Sequence, residues 1–353
     1  MSTCKCLERI SLNRSGFWRR RRGDTFVKAF ISRHGYLESD LSRWFLVVWS
    51  ITNVFVGQVA AAELPSNRVL VIGIDGCRPD ALAKAVTPHL DSLIQTGAFS
   101  DQTQILGERY TENDTVSGPG WSSFLTGVWA DKHGVQNNSF QGKNYEAFPH
   151  FFAYIKQQFP KAQTGSFVDW KPIDTHIVSH ADVQHGFDAH GADGYTKFDE
   201  AVTSEAVKFL SEGNPHAVMA YLGAVDETGH RYGFHPSVPE YIEAIETVDT
   251  RVGQLLTAMK SRPNFAAENW LVVVSTDHGG QGLGHGGGHK IPEIRTTFLI
   301  VSGSAAKQGK IEQPTYVVDV PVIALTHLGV EIQADWKLDG KPAGLTNRGS
   351  HNE

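Results

Sequence analysis

Residues 68–75 read RVLVIGID, a continuous apolar run that ends in an acidic residue. Such a run is typical of a strand that is buried on both faces, as in a parallel sheet covered by helices. Similar runs occur at 216–225 (HAVMAYLGAV) and 270–275 (WLVVVS), and a fourth strand is predicted at 297–301. Stretches with a helical pattern lie between and after them, at 87–96, 148–158, 198–210, 238–259 and 318–328. Strands that alternate with helices predict an α/β fold, here a single-domain three-layer sandwich with a mostly parallel central sheet and helices on both faces.

An acidic residue follows each of the first three predicted strands: Asp75, Asp226 and Asp277. In open α/β sheets, ligands bind at the carboxyl ends of the strands. We therefore expect these three carboxylates to lie together, although the first and the last are about 200 positions apart in the sequence.

Histidines accompany these acids. His278 directly follows Asp277, so one strand end offers an oxygen and an imidazole nitrogen to a metal ion. The segment GHGGGH at 284–289 follows, and its glycines let the backbone fold back toward the strand ends. Its two histidines, His285 and His289, are both candidates for a further ligand.

A second pair of candidate ligands is Asp226 and His230, which are four residues apart and can reach one metal ion from a single turn of chain. With Asp75, the inventory reaches three carboxylates and three or four histidines. That number is enough for two divalent ions with open positions. Two close metal ions suit in-line displacement at phosphorus, and imidazole ligands favour zinc over magnesium or calcium. Manganese and iron remain alternatives.

The candidate nucleophile lies in TVSGPGWSSFLTG at 115–127, where a polar, glycine-broken turn leads into a predicted helix. A hydroxyl at the start of that helix would meet its positive end, which favours an alkoxide and a bound phosphate. From these residues alone, four hydroxyls stay open as nucleophiles: Thr115, Ser117, Ser122 and Ser123. A further alternative is that Ser117 only caps the helix.

These motifs resemble those of the alkaline phosphatase superfamily, and most closely its type I phosphodiesterase / nucleotide pyrophosphatase branch, from about residue 69 to residue 344. In that branch a Thr or Ser nucleophile is followed at fixed spacing by Thr-Gly, His-Gly and Asn. Here Thr126 lies nine residues after Ser117, His133 sixteen after it and Asn138 twenty-one after it. The resemblance thus implies that Ser117 is the nucleophile and that Asn138 donates a hydrogen bond to a phosphoryl oxygen.

The resemblance also implies the metal ligands, with His285 preferred over His289. One zinc would be held by Asp75, Ser117, Asp277 and His278, and the other by Asp226, His230 and His285.

Three positions depart from related patterns. Gly118 stands where nucleotide-cleaving members carry an aromatic residue that stacks on the base, and Gly120 where many carry Asn. Trp121 occupies the Arg position of the sulfatase signature.

The predicted function is a phosphodiesterase or nucleotide pyrophosphatase that acts through a covalent phosphoseryl intermediate. The alternatives are a phosphomonoesterase and, ranked lower, a sulfatase or a non-catalytic binding protein on the same fold.

Charge and the amino-terminal segment bear on partners and location. Residues 63–353 carry 22 basic and 34 acidic residues, which argues against a nucleic acid partner and leaves a small phosphate ester as the expected one.

Residues 1–62 are predicted to be a leader and signal peptide, because the apolar run 44–56 follows a basic residue and precedes QVAAA at 58–62. The run is shorter than the roughly 20 residues of a membrane-spanning helix. We therefore expect no stable membrane span after cleavage, and an exported domain at 63–353 with a cap element at about 171–196. The sequence does not predict an oligomeric state.

We expect the protein to be exported to the periplasm or the extracellular space, with its mature chain beginning near Glu63, because the small residues before that position suit a signal peptidase. Amino-terminal sequencing of the active protein measures this directly. Recovery of active protein from the cytosol with Met1 in place would contradict it.

Overall fold

The computed structural model describes residues 66–107 and 112–346, and its strands form one eight-stranded sheet. Numbered along the chain, the strands are β1 (Asn67–Ile74), β2 (Ala98–Gln104), β3 (Gln163–Val168), β4 (Val183–Gly186), β5 (Pro215–Leu222), β6 (Asn269–Ser275), β7 (Thr296–Gly303) and β8 (Gly309–Lys310). Their order in the sheet is β4-β3-β5-β1-β6-β7-β2-β8.

Seven of the described strands run in one direction. The neighbours from β4 to β6 are parallel throughout, and β2 pairs in parallel with β8. Strand β7 is antiparallel to both β6 and β2. The predicted mostly parallel sheet is therefore confirmed, with β7 as the single reversed strand in the described part of the chain.

Helices cover both faces of the sheet. They are α1 (Pro79–Leu82), α2 (Pro88–Thr96), α3 (Ser117–Thr126), α4 (Ala130–His133), α5 (Phe151–Gln158), α6 (Gly191–Glu212), α7 (Ala224–Tyr232), α8 (Pro239–Lys260), α9 (Pro292–Arg295) and α10 (Asp319–Leu328). Along β1, Val69 and Val71 pack with α3, α5 and α10, whereas Leu70 and Ile72 pack with α2, α6 and α8. This alternation of two buried faces produces the three layers that the apolar run at 68–75 predicts.

Most of the predicted core elements begin and end close to their predicted positions, but two predictions are wrong at one end. The helix predicted at 198–210 begins earlier, at Gly191, and the strand predicted at 216–225 ends earlier. Strand β5 ends at Leu222, and α7 begins at Ala224. The buried carboxylate of Asp199 in α6 accepts a hydrogen bond of 2.9 Å from the backbone N–H of Gly223, which lies between the two elements. Asp226 consequently lies in the first turn of a helix rather than directly after a strand.

The predicted leader, its apolar run and its cleavage site lie outside the described residues. The described residues all belong to one compact unit, Val59–Glu353. Within segment 171–196, the chain forms a short π-helical turn (Ile173–Ile177), the edge strand β4 and the beginning of α6. Its role as a cap stays a prediction. None of the helices in the described ranges combines the length and the apolar character that crossing a membrane needs.

Candidate metal centre

Three neighbouring strands in the middle of the sheet, β5, β1 and β6, end at the same edge and carry the three predicted acids there. Asp75 directly follows β1, Asp277 comes two residues after β6, and Asp226 lies in α7 just after β5. The three residues are 1%, 0% and 7% exposed. The topology thus places three buried carboxylates together, as the strand-end argument predicts.

The carboxylate of Asp75 has one oxygen held by the core and one left for the site. Its Oδ2 accepts hydrogen bonds from Nε1 of Trp121 (2.9 Å) and from the hydroxyl of Tyr221 (2.6 Å), while its Oδ1 is buried with no hydrogen-bond partner. Gly73 makes room for the indole, because a Cβ there would lie 2.3 Å from the ring. The two donors therefore fix the direction in which Oδ1 points.

His278 presents one ring nitrogen to the same point. Its Nδ1–H donates to the carbonyl of Gly279 (2.9 Å), so Nε2 carries the lone pair. This Nε2 lies 3.3 Å from Oγ of Ser117, 3.4 Å from Oδ1 of Asp75 and 3.4 Å from Oδ2 of Asp277. Two ligand atoms on one tetrahedral zinc are about 3.3–3.4 Å apart, given bonds of about 2.0–2.1 Å. The spacing of these four groups matches that of a zinc ligand set.

A second group forms around Asp226. Its Oδ2 lies 3.3 Å from Nε2 of His230, and its Oδ1 lies 3.6 Å from Nε2 of His285. Both imidazoles donate through Nδ1–H at 2.9 Å to a backbone carbonyl, His230 to Leu283 and His285 to Thr115. These hydrogen bonds fix both tautomers and leave both Nε2 lone pairs free beside the carboxylate.

The Nε2 atoms of His230 and His285 face each other at 3.0 Å. Two unprotonated nitrogens at this distance cannot hydrogen-bond with each other, so the arrangement needs a cation. The hydrogen bond with Asp226 raises the pKa of His230 to about 9, so a proton can supply this charge. A metal ion would serve both nitrogens at once.

The buried carboxylate oxygens test whether the residues fit metal ions. Oδ1 of Asp75, Oδ1 of Asp226 and both oxygens of Asp277 are buried without a hydrogen-bond partner. Burial and the neighbouring Asp75 raise the pKa of Asp277, and burial lowers the pKa of His278 to about 3, which keeps its imidazole neutral. Unpaired buried carboxylates beside neutral imidazoles form a typical donor set for divalent metal ions.

Two clusters of candidate ligand atoms emerge, and they share His278. One consists of Asp75, Asp277 and His278 and the other of Asp226, His278 and His285, each with its ligand atoms within 4.8 Å of one another. The rings of His278 and His285 stack with centroids 3.7 Å apart. The geometry therefore brings all the sequence-predicted ligands into one centre, while His278 lies within reach of both clusters.

The loop at 284–289 separates the two competing histidines. His285 lies in the centre, whereas Nε2–H of His289 donates to the carbonyl of Asn113 (2.7 Å), and the backbone carbonyl of His289 accepts from Arg295 (3.2 Å). His289 thus helps to hold the loop in place.

Of the four candidate hydroxyls, Ser117 is the one that reaches the centre. It is the first residue of α3, directly after the N-cap Val116, and its Oγ lies 3.3 Å from Nε2 of His278. The other three bond elsewhere: Thr115 donates to the carbonyl of His285, Ser122 to that of Gly118, and Ser123 contacts Nε2 of His133 at 3.0 Å.

Asn138 and Gly118 form the wall beside Ser117. The backbone N–H of Gly118 donates to Oδ1 of Asn138 (2.7 Å), which leaves the amino group of Asn138 as its donor toward the cavity. A Cβ at position 118 would lie 2.8 Å from the carbonyl oxygen of Asn137. A Cβ at Gly120 would lie 2.9 Å from Cβ of Asp277. Steric crowding therefore explains why glycine occupies both positions in this protein.

A cavity of about 110 Å³ opens in front of Ser117. Besides the ligands, its walls include Asn138, Trp170, Tyr195, Tyr221 and Glu227. The last four were not identified from the sequence. Glu227 offered a signal, since it adjoins Asp226, and Tyr221 lies near the end of a predicted strand. Tyr195 lies within the segment predicted as a cap, but no pattern marked it there, and Trp170 offered no signal.

Comparison with known sequences gives a consistent family. The model of a family described as type I phosphodiesterase / nucleotide pyrophosphatase matches residues 69–295. The bis(5'-adenosyl)-triphosphatase ENPP4 of Homo sapiens is 24% identical over 239 residues, which cover 62% of this chain and 49% of that protein. Ectonucleotide pyrophosphatase/phosphodiesterase family member 7 of Rattus norvegicus is 23% identical over 234 residues, covering 60% and 50%. The chain spans about half the length of the curated relatives it matches.

Solved structures agree on the fold. An inactive form of murine ectonucleotide pyrophosphatase / phosphodiesterase 5 in complex with AMP matches with a TM-score of 0.58 at 16% identity, covering 76% of this chain and 96% of that one. A 2-O glycosaminoglycan sulfatase matches with a TM-score of 0.61 at 15% identity, covering 79% and 73%. The predicted alkaline phosphatase-like fold is thereby confirmed. At these identities the likeness concerns the fold alone.

We expect Trp121→Phe to weaken zinc binding roughly 10-fold, because it removes a donor that orients Asp75 while keeping an aromatic ring. Trp270→Phe is the matched control, since Nε1 of Trp270 donates to Glu268 at 2.8 Å on the opposite edge of the sheet. Competition with a chromophoric chelator measures both affinities, and circular dichroism monitors folding. Equal zinc affinity in the two variants would refute the orienting role of Trp121.

Proposed function

Because the chain belongs to the type I phosphodiesterase / nucleotide pyrophosphatase family, we propose that it hydrolyses phosphodiester or pyrophosphate bonds at a centre of two divalent metal ions. The observation that carries the proposal is the position of Ser117, whose Oγ lies 3.3 Å from Nε2 of His278. It is a buried hydroxyl at the start of a helix, beside three carboxylates and two imidazoles with metal-ligand spacing, and a third imidazole, that of His230, lies 3.3 Å from Asp226. Nucleophile and metal ligands thus meet in one cavity.

The residues divide into two ligand sets. In the proposal one zinc ion is held by Asp75, Ser117, Asp277 and His278, and the other by Asp226, His230 and His285. When bound, the two ions would lower the pKa of the serine hydroxyl and offset the negative charge on the phosphoryl oxygens.

Ser117 carries the covalent step. Its Oγ loses its proton and forms a bond to phosphorus as the bond between phosphorus and the leaving oxygen breaks. The leaving oxygen takes up a proton and departs as a hydroxyl group, and a phosphoseryl ester results. Water then cleaves this ester, releases the phosphate product and restores the hydroxyl. Asn138 orients the group, because its Oδ1 is held by the N–H of Gly118 and its amino group can donate to a phosphoryl oxygen.

The walls of the cavity favour a diester over a monoester. Asp75, Asp226 and Glu227 contribute carboxylates, and no Lys or Arg from the described residues lines the cavity. A diester carries one negative charge near neutral pH, whereas a monoester carries close to two and would benefit more from a basic side chain. The crowded backbone at Gly118 leaves no room for a stacking aromatic, so a nucleotide base has no partner at that position.

We also propose that the protein acts outside the cytoplasm. The support is the order of basic, apolar and small residues at 43–62.

A panel of aryl phosphate monoesters, aryl phosphodiesters and a dinucleoside polyphosphate tests the activity. We expect zinc-loaded protein to cleave the diesters with the highest kcat/KM, a chelator to abolish turnover, and added zinc to restore it, since the two candidate ligand groups both suit a bound cation. Faster cleavage of monoesters would favour the phosphomonoesterase alternative. Full activity after removal of all transition metal would overturn the metal-dependent mechanism.

Ser117→Ala should lower kcat at least about 1000-fold while the protein stays folded, because it removes the attacking oxygen and only residual electrostatic stabilisation remains. Ser117→Thr should keep part of the activity, since it retains a hydroxyl. Ser122→Ala and Ser123→Ala are the controls, because their hydroxyls bond to groups outside the centre. Steady-state kinetics on an aryl diester measures the series. Loss of activity in Ser122→Ala with retention in Ser117→Ala would show that the nucleophile is misassigned.

A further inference from the structure

Arg78 is a buried cation close to the metal centre that the proposed mechanism does not use. It follows Asp75 by three residues, and its side chain is 6% exposed. Its Nη1 donates to the backbone carbonyls of Phe234 (2.6 Å) and Gly280 (3.1 Å). Its Nε and Nη2 donate to the two carboxylate oxygens of Asp80 at 2.9 and 2.6 Å. All three nitrogens of the guanidinium thus donate hydrogen bonds.

The carbonyls that Arg78 holds belong to the segments that carry the other ligands. Gly280 follows His278 by two residues, and Phe234 comes just after α7, the helix of Asp226 and His230. One side chain on the loop after β1 therefore ties itself to the loop after β6 and to the end of α7. These partners are 202 and 156 positions away in the sequence.

The phenyl ring of Phe234, whose backbone carbonyl Arg78 holds, packs against two of the candidate ligand imidazoles. It lies against His230 (centroids 5.2 Å apart) and His285 (6.0 Å apart). Gly229 and Gly280 leave space for it, because a Cβ at either position would lie 2.3–2.4 Å from the ring. Movement of the Phe234 backbone would therefore displace two ligand rings.

Electrostatics explains the partner of Arg78. A buried guanidinium next to a centre that takes divalent cations opposes metal binding unless its charge is balanced. Asp80 balances it with a bidentate contact from a side chain that is 50% exposed. The pair thus ties the loops together without adding net charge beside the ions.

We propose that Arg78 is a positioning residue that fixes the separation of the two metal-ligand groups by holding the Phe234 and Gly280 carbonyls. The inference rests on the proposed metal centre, but it does not depend on the substrate or on catalysis.

The chain contains a matched control, Arg262. Its side chain is 5% exposed, its Nε and Nη2 donate to the two oxygens of Glu268, and its Nη1 donates to the carbonyls of Leu210 and Gly213. This is the same bonding pattern as that of Arg78. Its partners precede β5 and β6, so it lies at the edge of the sheet opposite the metal centre.

The experiment compares Arg78→Gln and Arg262→Gln in the full chain by zinc titration against a chelator, by the visible spectrum of the cobalt-loaded protein and by thermal unfolding of the metal-free protein. Both variants should unfold at lower temperature than the parent protein, because each loses a buried network. Only Arg78→Gln should weaken zinc binding, by roughly 10- to 100-fold, and change the cobalt spectrum. These readouts need no substrate, so a chain that binds zinc normally but cleaves no diester would contradict the proposed function alone.

Two results would overturn the inference: zinc affinity in Arg78→Gln equal to that of the parent protein, or equal weakening in Arg262→Gln, which would trace the effect to stability. Should Arg78→Gln fail to fold, Arg78→Lys replaces it. A lysine keeps the charge but cannot hold two carbonyls and a carboxylate at once. We therefore expect the zinc affinity of Arg78→Lys to be lower than that of the parent protein but higher than that of a variant without these contacts. Parent-like zinc affinity in folded Arg78→Lys would then refute the inference.

Discussion

Three carboxylates, those of Asp75, Asp226 and Asp277, are removed from water at the ends of three adjacent strands. Burying one unpaired carboxylate is costly, and burying three beside one another costs more, since their charges also repel. The fold accepts this arrangement because parallel strands all end at the same edge, where the loops that follow can supply imidazoles. The rest of the structure around the centre serves to hold these acids apart by the distance that bound cations need.

Ordinary core residues do much of that work. The indole of Trp121 and the phenol of Tyr221 pack in the helical layer and the sheet, and their polar ends hold one oxygen of Asp75. The three candidate ligand imidazoles are each fixed by a backbone carbonyl. Such contacts cost little in folding, because the same side chains already fill the core. They leave the free lone pairs aimed at a common point.

The sequence predicts the parts of the protein that depend on local pattern. Apolar runs locate β1, β5 and β6, and the acids that follow them locate the edge of the sheet where ligands bind. Polar strands escape this reasoning: β2 reads AFSDQTQ and β3 reads QTGSFV, and only their place in the sheet makes them strands. The choice of Ser117 among four hydroxyls needed the spacing of the family.

Contacts between distant segments were out of reach of the sequence. Whether His285 or His289 enters the centre depends on the path of a glycine-rich loop, which many backbone conformations satisfy. The support of Asp75 by Trp121 and the bonds of Arg78 to the carbonyls of Phe234 and Gly280 depend on side-chain directions in packed layers. No periodicity encodes such pairs, since their members are 46 to 202 positions apart.

The close approach of Gly118 to the loop at Asn137 also bears on how this protein can evolve. An aromatic residue at position 118 would collide with a backbone carbonyl 2.8 Å from its Cβ, so it becomes acceptable only after the neighbouring loop has moved. That loop carries Asn138, whose oxygen is bonded to position 118 itself. The two sites are therefore epistatic. A change of specificity that begins at Gly118 therefore also requires a shift of this loop, and with it a change in the position of Asn138.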